Sequence, residues 1–177
     1  MLFGIASQAG GVIAIGDSIT VLSDSWAEQL RERGYRVKNM SQGARAARLY
    51  TLPSDLRKTP EFDRAVYFLG TNDMNIGFGY ITSFEEMFNR QISLLSYGGL
   101  NPVVLMPPRY TGYEDKIDPI RAHLILICTY ANLVCIDLEA IWDDSLTDGL
   151  TLLPDGIHPN SILSGLIADL VELELAR

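Results

Sequence analysis

The sequence predicts a three-layer α/β/α sandwich built on a five-stranded parallel sheet. Two observations carry this. Short apolar runs alternate with helical periods from end to end, the order expected of βα units. The runs are not strictly alternating, as they would be with one wet face, so the strands are expected to be buried on both faces.

The strand runs are Gly11–Ile15, Arg36–Met40, Arg64–Leu69, Pro102–Met106 and Leu133–Leu138. After the first, Leu22, Trp26 and Leu30 repeat every four residues, and Gly34 supplies a stop signal, which predicts one helix ending there. After the third, Thr82-Ser83-Phe84-Glu85 reads as a capping box, with Phe84, Phe88, Ile92 and Leu95 on one face. After the fourth, Asp118-Pro119 reads as a cap and first-turn proline, followed by Ile120, Leu124, Ile127 and Ala131. A final helix is expected to bury Ile162, Leu163, Leu166, Ile167, Leu170 and Leu173. No linker, repeat or low-complexity segment interrupts residues 1–177, which are expected to form one domain.

Composition narrows the function classes. The 177 residues hold 14 Lys and Arg against 22 Asp and Glu, a net charge of −8, and 47% are hydrophobic. A core is affordable at this length, and disorder is excluded. The acidic balance, without a basic block, argues against nucleic acid as a partner, because such binding neutralises phosphates with Lys and Arg. The longest apolar stretch, His123 to Ile136, is broken by Thr129, Tyr130 and Asn132 and is too short to span a bilayer. Residues 1–16 lack the cationic start and small-residue cleavage site of a signal peptide. Cys128 and Cys135 show neither metal-ligand spacing nor a disulfide framework, so a reducing, cytoplasmic setting is the expectation.

In such sheets ligands bind beyond the carboxyl ends of the strands. That is where the unusual residues fall: Gly16-Asp17-Ser18-Ile19-Thr20, Asn39-Met40-Ser41-Gln42-Gly43, Gly70-Thr71-Asn72-Asp73, and Asp155-Gly156-Ile157-His158-Pro159-Asn160. A serine hydroxyl is a weak nucleophile at neutral pH and needs a base. His158, one of two histidines, can take the proton of Ser18, and Asp155 can hold the other ring nitrogen and stabilise the imidazolium. The backbone N–H groups of Ser18 and Gly43 and the side-chain amide of Asn72 are the donors available to an oxyanion. Gly43 has a reason to be glycine there, since a side chain would crowd the substrate carbonyl.

These four blocks, in this order, resemble those of the SGNH hydrolases, also called GDSL esterases and lipases. The resemblance runs from about Gly11 to the final helix. It implies a flavodoxin-like sheet, a Ser18–His158–Asp155 triad, an oxyanion hole at Ser18, Gly43 and Asn72, and ester or thioester hydrolysis without a metal or other cofactor. The expected substrate is a small-molecule ester with a short acyl group, O-acetylated carbohydrates included; a thioesterase or lysophospholipase activity is the alternative within the class. A non-catalytic, flavodoxin-like binding domain is the alternative outside it, with Ser18, Thr20, Ser23 and Ser25 facing a phosphate.

Other features carry less. Gly11 to Gly16 mimics half of a phosphate loop, but Asp17 stands where a lysine is needed. Asn39-Met40-Ser41 fits a glycosylation pattern by chance, because a glycan there would block the site. His123 reads as a satisfied, partly buried histidine. Residues 76–80, Pro107 to Tyr110, Tyr113 and Trp142 are either pocket walls or packing. Arg45 and Arg48 read as a solvated helix face, with a pair of cations meeting an anionic leaving group as the alternative.

Overall fold

The computed structural model describes residues 11–53, 56–76, 81–144 and 152–177. Five parallel strands form one sheet in the order β2-β1-β3-β4-β5: β1 (Gly11–Gly16), β2 (Val37–Asn39), β3 (Phe62–Phe68), β4 (Asn101–Met106) and β5 (Val134–Asp137). The central strands carry the core, with Val12 to Ile15, Ala65 to Leu69 and Val103 to Leu105 all buried. The edge strands β2 and β5 are only half-buried, which corrects the expectation of five strands enclosed on both faces. Each runs beside a single neighbour, so its outer side stays wet.

Helices α1 (Ser18–Val21), α2 (Trp26–Glu32), α3 (Ile81–Tyr97), α4 (Glu114–Tyr130), α5 (Glu139–Asp144) and α6 (Ser161–Leu175), with short 3-10 helices at Ala47–Leu49 and Asn72–Ile76, complete the described elements. The chain moves one way along the sheet from β1 to β2 and the other way from β3 through β5. Right-handed crossovers therefore put α2 and the pair α3 and α4 on opposite faces. On its face α2 packs against α6, and strand order reverses between β1 and β3, which opens a crevice at their carboxyl ends.

Several boundaries depart from the sequence reading. The first predicted helix is two, because the chain breaks at Leu22 and restarts at Trp26 with Ser25 Oγ accepting from Glu28 N at 3.4 Å; Leu22 is partly exposed. Its end at Gly34 stands, with φ +94°. Helix α3 begins at Ile81, so Thr82 lies inside its first turn instead of capping it, while Phe84, Phe88, Ile92 and Leu95 are buried as expected. Helix α4 starts at Glu114, which places Pro119 in its second turn, not its first. Glu114 and Asp115 offer negative charge to that helix start, the favourable sign for a helix dipole. On α6 the buried face is Leu163, Ser164, Ile167, Ala168 and Val171, and Ile162, Leu166 and Leu173 are exposed. The small residues set this face, because they let α6 approach α2 closely: a Cβ added at Gly165 would stand 3.0 Å from Gln29 Oε1.

The cysteines also correct the sequence reading. Cys128, near the end of α4, is disulfide-bonded to Cys135 in β5, with Cα atoms 6.1 Å apart. The tight turn between helix and strand, with Asn132 at φ +51°, brings them together. The cysteines therefore lend no support to a reducing compartment. The bond closes a short loop, and by chain entropy such a loop stabilises by about 2–3 kcal/mol. We expect the Cys128→Ser/Cys135→Ser variant, or the reduced protein, to melt several degrees lower in calorimetry. An unchanged Tm would mean that the bond adds nothing. Among the described residues no helix is long and apolar enough to cross a membrane.

Candidate active site

Strand β1 is followed directly by a helix, and two residues make that turn possible. Gly16 packs so close to Thr20 that an added Cβ would lie 2.1 Å from Thr20 Oγ1. Asp17 then caps α1, its Oδ1 accepting from Ile19 N at 3.0 Å. Thr20 is held in turn: Oγ1 accepts from Trp26 Nε1 at 3.2 Å, and its carbonyl accepts from Ser25 Oγ at 2.9 Å and Asn39 Nδ2 at 3.0 Å. Ser18, the first residue of α1, is thereby fixed at the mouth of the crevice. The Asn39 amide is engaged on both sides, since Oδ1 accepts from Ser41 N at 2.9 Å.

His158 arrives from the far end of the chain. Its segment is tied to the fold by Asn160 N donating to Leu152 O at 2.8 Å, and Asn160 Oδ1 caps α6 by accepting from Ile162 N and Leu163 N, both at 3.0 Å. Helix α6 is clamped to α2 by Gln29 Nε2 donating to Ser161 O at 2.7 Å and by Arg33 pairing with Asp169 and Glu172 at 2.6 and 2.9 Å. Because α2 follows α1 after a four-residue break, this clamp sets His158 against Ser18.

The structure brings three of the sequence-predicted residues into one chain of hydrogen bonds. Ser18 Oγ lies 2.8 Å from His158 Nε2, and His158 Nδ1 lies 2.6 Å from Asp155 Oδ2. Asp155 Oδ1 accepts from the backbone N–H groups of Ile157 at 3.0 Å and His158 at 2.7 Å. An ionised carboxylate only accepts, so the ring proton belongs on Nδ1 and Nε2 is left to accept from the serine hydroxyl. The His158 backbone and side-chain donors, helped by Ile157 N, lower Asp155 to about 2.

Asn72 reaches the same place by another route. Gly70, at φ +124°, turns the chain after β3 and delivers Asn72 beside Asp17. Asn72 Nδ2 donates to Asp17 Oδ2 at 3.1 Å and to Arg45 O at 3.2 Å, so both of its N–H bonds face protein acceptors. Gly43 is exposed in the turn after β2; an added Cβ there would meet only Val21 Cγ1, at 4.0 Å. Its part as a donor rests on the sequence reading.

Three residues around the site were given no site role from sequence, although Asp17 and Asp73 stand in its motif blocks. Asp17 is fully buried, and burial raises it to about 7 against the opposing pull of the Ile19 N–H and His158. Asp73 Oδ2 accepts from Ala47 N at 2.6 Å. Gln91 on α3 holds the carbonyls of Ala47 and Tyr50. The Asp of the Gly-Asp-Ser block and a glutamine on an apolar helix face were the available signals.

Of the residues left open between pocket wall and packing, several serve packing. Tyr110 and Trp142 are buried and meet edge to face at 6.0 Å, and Arg109 pairs with Asp118 at 2.6 Å and Glu139 at 3.2 Å. Arg45 is exposed. Residues 77–80 and the Arg48 side chain lie outside the described part. His123 is half-satisfied: Nδ1 pairs with Glu85 at 3.3 Å, while the buried Nε2 has no hydrogen-bond partner among the described residues. Among the described residues no group of three His, Cys, Asp or Glu is placed to hold a metal ion.

Asp17 and Asp155 make stability depend on pH in opposite senses. Between 3.8 and about 7 the folded chain keeps on Asp17 a proton that the unfolded chain has released, so this group favours folding more as pH falls through that window. Asp155 adds stability above 3.8 that is lost as pH falls toward about 2. An Asp17→Asn variant keeps the cap on Ile19 N and never carries the buried charge, but turns an NH₂ donor toward Asn72 Nδ2 at every pH. Its Tm relative to wild type is expected to rise steadily from about pH 4 to about pH 8, as the charge is forced on wild type alone. A Tm difference that stays flat across that range would refute the buried-charge account.

The model of the GDSL-like Lipase/Acylhydrolase family matches residues 14–162. An acetylxylan esterase from Geobacillus stearothermophilus superposes with a TM-score of 0.77 at 15% identity, covering 97% of each chain. A lipolytic protein of the G-D-S-L family from Veillonella parvula gives 0.75 at 17% identity, covering 94% of this chain and 98% of that one. A lipase/acylhydrolase from Enterococcus faecalis gives 0.70 at 19% identity, covering 93% and 95%. No curated protein matches the chain in sequence.

Proposed function

The chain belongs to the GDSL-like lipase/acylhydrolase family, a family of ester-hydrolysing enzymes, and on that premise we propose that it cleaves short-chain acyl esters through an acyl-enzyme on Ser18. The observation that carries the reading is the unbroken sequence of contacts from Asp155 through His158 to Ser18, at 2.6 and 2.8 Å. In this reading His158 Nε2 takes the hydroxyl proton as Ser18 Oγ attacks the ester carbonyl. The imidazolium, held by Asp155, then gives that proton to the departing alcohol. Water enters by the reverse path: His158 removes its proton, the hydroxide adds to the acyl carbon, and Ser18 Oγ leaves with the proton restored.

The tetrahedral oxyanion needs donors that stand ready for it. Ser18 N–H and Gly43 N–H are two of those proposed. For Asn72 to be the third, one of its N–H bonds must turn from Asp17 or Arg45 toward the substrate oxygen. Hydrogen bonds that reform only when the reacting species is bound are ordinary in enzymes.

A short acyl group, acetyl first, is supported by two observations. Tyr110 and Trp142 are packed into the core instead of facing an acyl chain, and structural neighbours include acetylxylan esterases. The test is a panel of chromogenic esters from acetyl to long-chain acyl, with acetylated xylo-oligosaccharides and acyl thioesters alongside. Acetyl esters, free or on sugars, are expected to give the highest kcat/KM. A rate that rises with acyl length, or a thioester that outpaces them all, would overturn the assignment.

A further inference from the structure

We infer that Gln91 is a positioning residue, which holds the Gly43-bearing segment at the separation from Ser18 that an oxyanion hole requires; this rests on the serine-hydrolase reading above. Gln91 lies on the face of α3 that buries Phe84, Phe88, Ile92 and Leu95, and is itself 1% exposed. Packing alone would put an apolar residue there. Burying an amide is unfavourable unless every polar atom is matched.

Here all are matched. Gln91 Nε2 donates to Ala47 O and to Tyr50 O, each at 2.8 Å, and Oε1 accepts from the hydroxyl of the buried Tyr67. A buried polar network satisfied in this way rigidifies what it touches.

What it touches is the oxyanion segment. Residues 40–50 leave the sheet after Met40 N and Gln42 N have donated to Ala14 O and Gly16 O, and then run through the exposed turn at Gly43. The segment is recaptured at Arg45 O by Asn72, at Ala47 N by Asp73, and at Ala47 O and Tyr50 O by Gln91. Tyr50 closes it on itself through its hydroxyl to Met40 O. Tyr67, which orients Gln91, sits on β3, the strand that leads to Asn72. The two proposed donors that come from different strands, Gly43 and Asn72, are thus referred to one Gln91–Tyr67 pair. A shift of about 1 Å in such a donor lowers turnover about 10²-fold.

The experiment measures kcat, KM and the affinity of an acetyl-ester transition-state analogue, a boronic acid, for Gln91→Met and Tyr67→Phe. All are read at a temperature where circular dichroism shows each variant folded. Cys128→Ser/Cys135→Ser, destabilised at the C-terminal end of α4, is the control and is expected to keep its kcat. Gln91→Met is expected to lose about 10- to 100-fold in kcat with KM within about threefold, and analogue affinity should fall by the same factor. Tyr67→Phe should move in the same direction by less. A merely structural role would lower Tm and leave kcat and analogue affinity alone, and that result in the folded variants would overturn the inference. If Gln91→Met does not fold, Tyr67→Phe decides it. Wild-type protein whose Ser18 resists a fluorophosphonate would instead overturn the hydrolase reading, and this inference with it.

Discussion

Ser18→Ala is expected to lower kcat/KM for a chromogenic acetyl ester by about 10³–10⁶ while leaving the fold unchanged. The size follows from what the hydroxyl does in the proposed reaction: it forms the bond to the acyl carbon, and it is the hydroxyl that meets the His158 base. Its effect on folding should be small for local reasons. Asp17, not Ser18, caps α1, and Ile19 and Thr20, not Ser18, anchor that helix in the core. The described hydrogen bond of the Ser18 side chain runs to His158, and its loss leaves a half-exposed imidazole that water can reach. Nucleophile and base act as a unit, so Ser18→Ala/His158→Ala should be no slower than the single variant. Circular dichroism and Tm check the fold, and initial rates check the chemistry. Activity within tenfold of wild type would end the assignment of Ser18.

The site was legible from sequence because chemistry in this fold is written at strand ends. Ser18, Asn72 and the Asp155–His158 turn each follow an apolar run or its loop, and the sheet order β2-β1-β3 puts Ser18 and Asn72 just beyond the ends of adjacent strands. What lies behind them was not legible. Asp17, Asp73 and Gln91 act through partners 55, 26 and 44 residues away, and such pairings exist only once the chain has folded. The same limit hid the Cys128–Cys135 bond, which needs a turn of known shape before two cysteines seven apart can meet.

Helix faces failed for a different reason. Counting apolar residues put Ile162, Leu166 and Leu173 inside, yet α6 buries the stripe that holds Ser164 and Ala168. Closeness to α2, which small residues permit, outweighed hydrophobicity there. Where a single periodic face met the sheet, as with Phe84, Phe88 and Leu95 on α3, the reading and the structure coincide.

Asp155→Asn is expected to lower kcat by about 10⁴, an effect out of proportion to one atom. Of its two carboxylate oxygens, Oδ1 accepts from Ile157 N and His158 N, and Oδ2 faces His158 Nδ1 at 2.6 Å. An asparagine would keep its carbonyl oxygen on the two backbone donors, so the turn should hold. Its NH₂ would then face Nδ1 and donate to it. That drives the ring proton to Nε2, where it points at Ser18 Oγ, and the imidazole can no longer take a proton from the serine. The defect is one of tautomer, not of position, and it predicts a signature that displacement of His158 would not give. Asp155→Ala leaves Nδ1 to water, which donates or accepts equally well, so the productive tautomer stays accessible. It should therefore be no slower than Asp155→Asn, although it removes more of the side chain and melts lower for loss of the two backbone contacts. If Asp155→Ala proved much the slower of the two, the carboxylate would be acting by holding the turn in place, and its proposed role in setting the imidazole proton would be wrong.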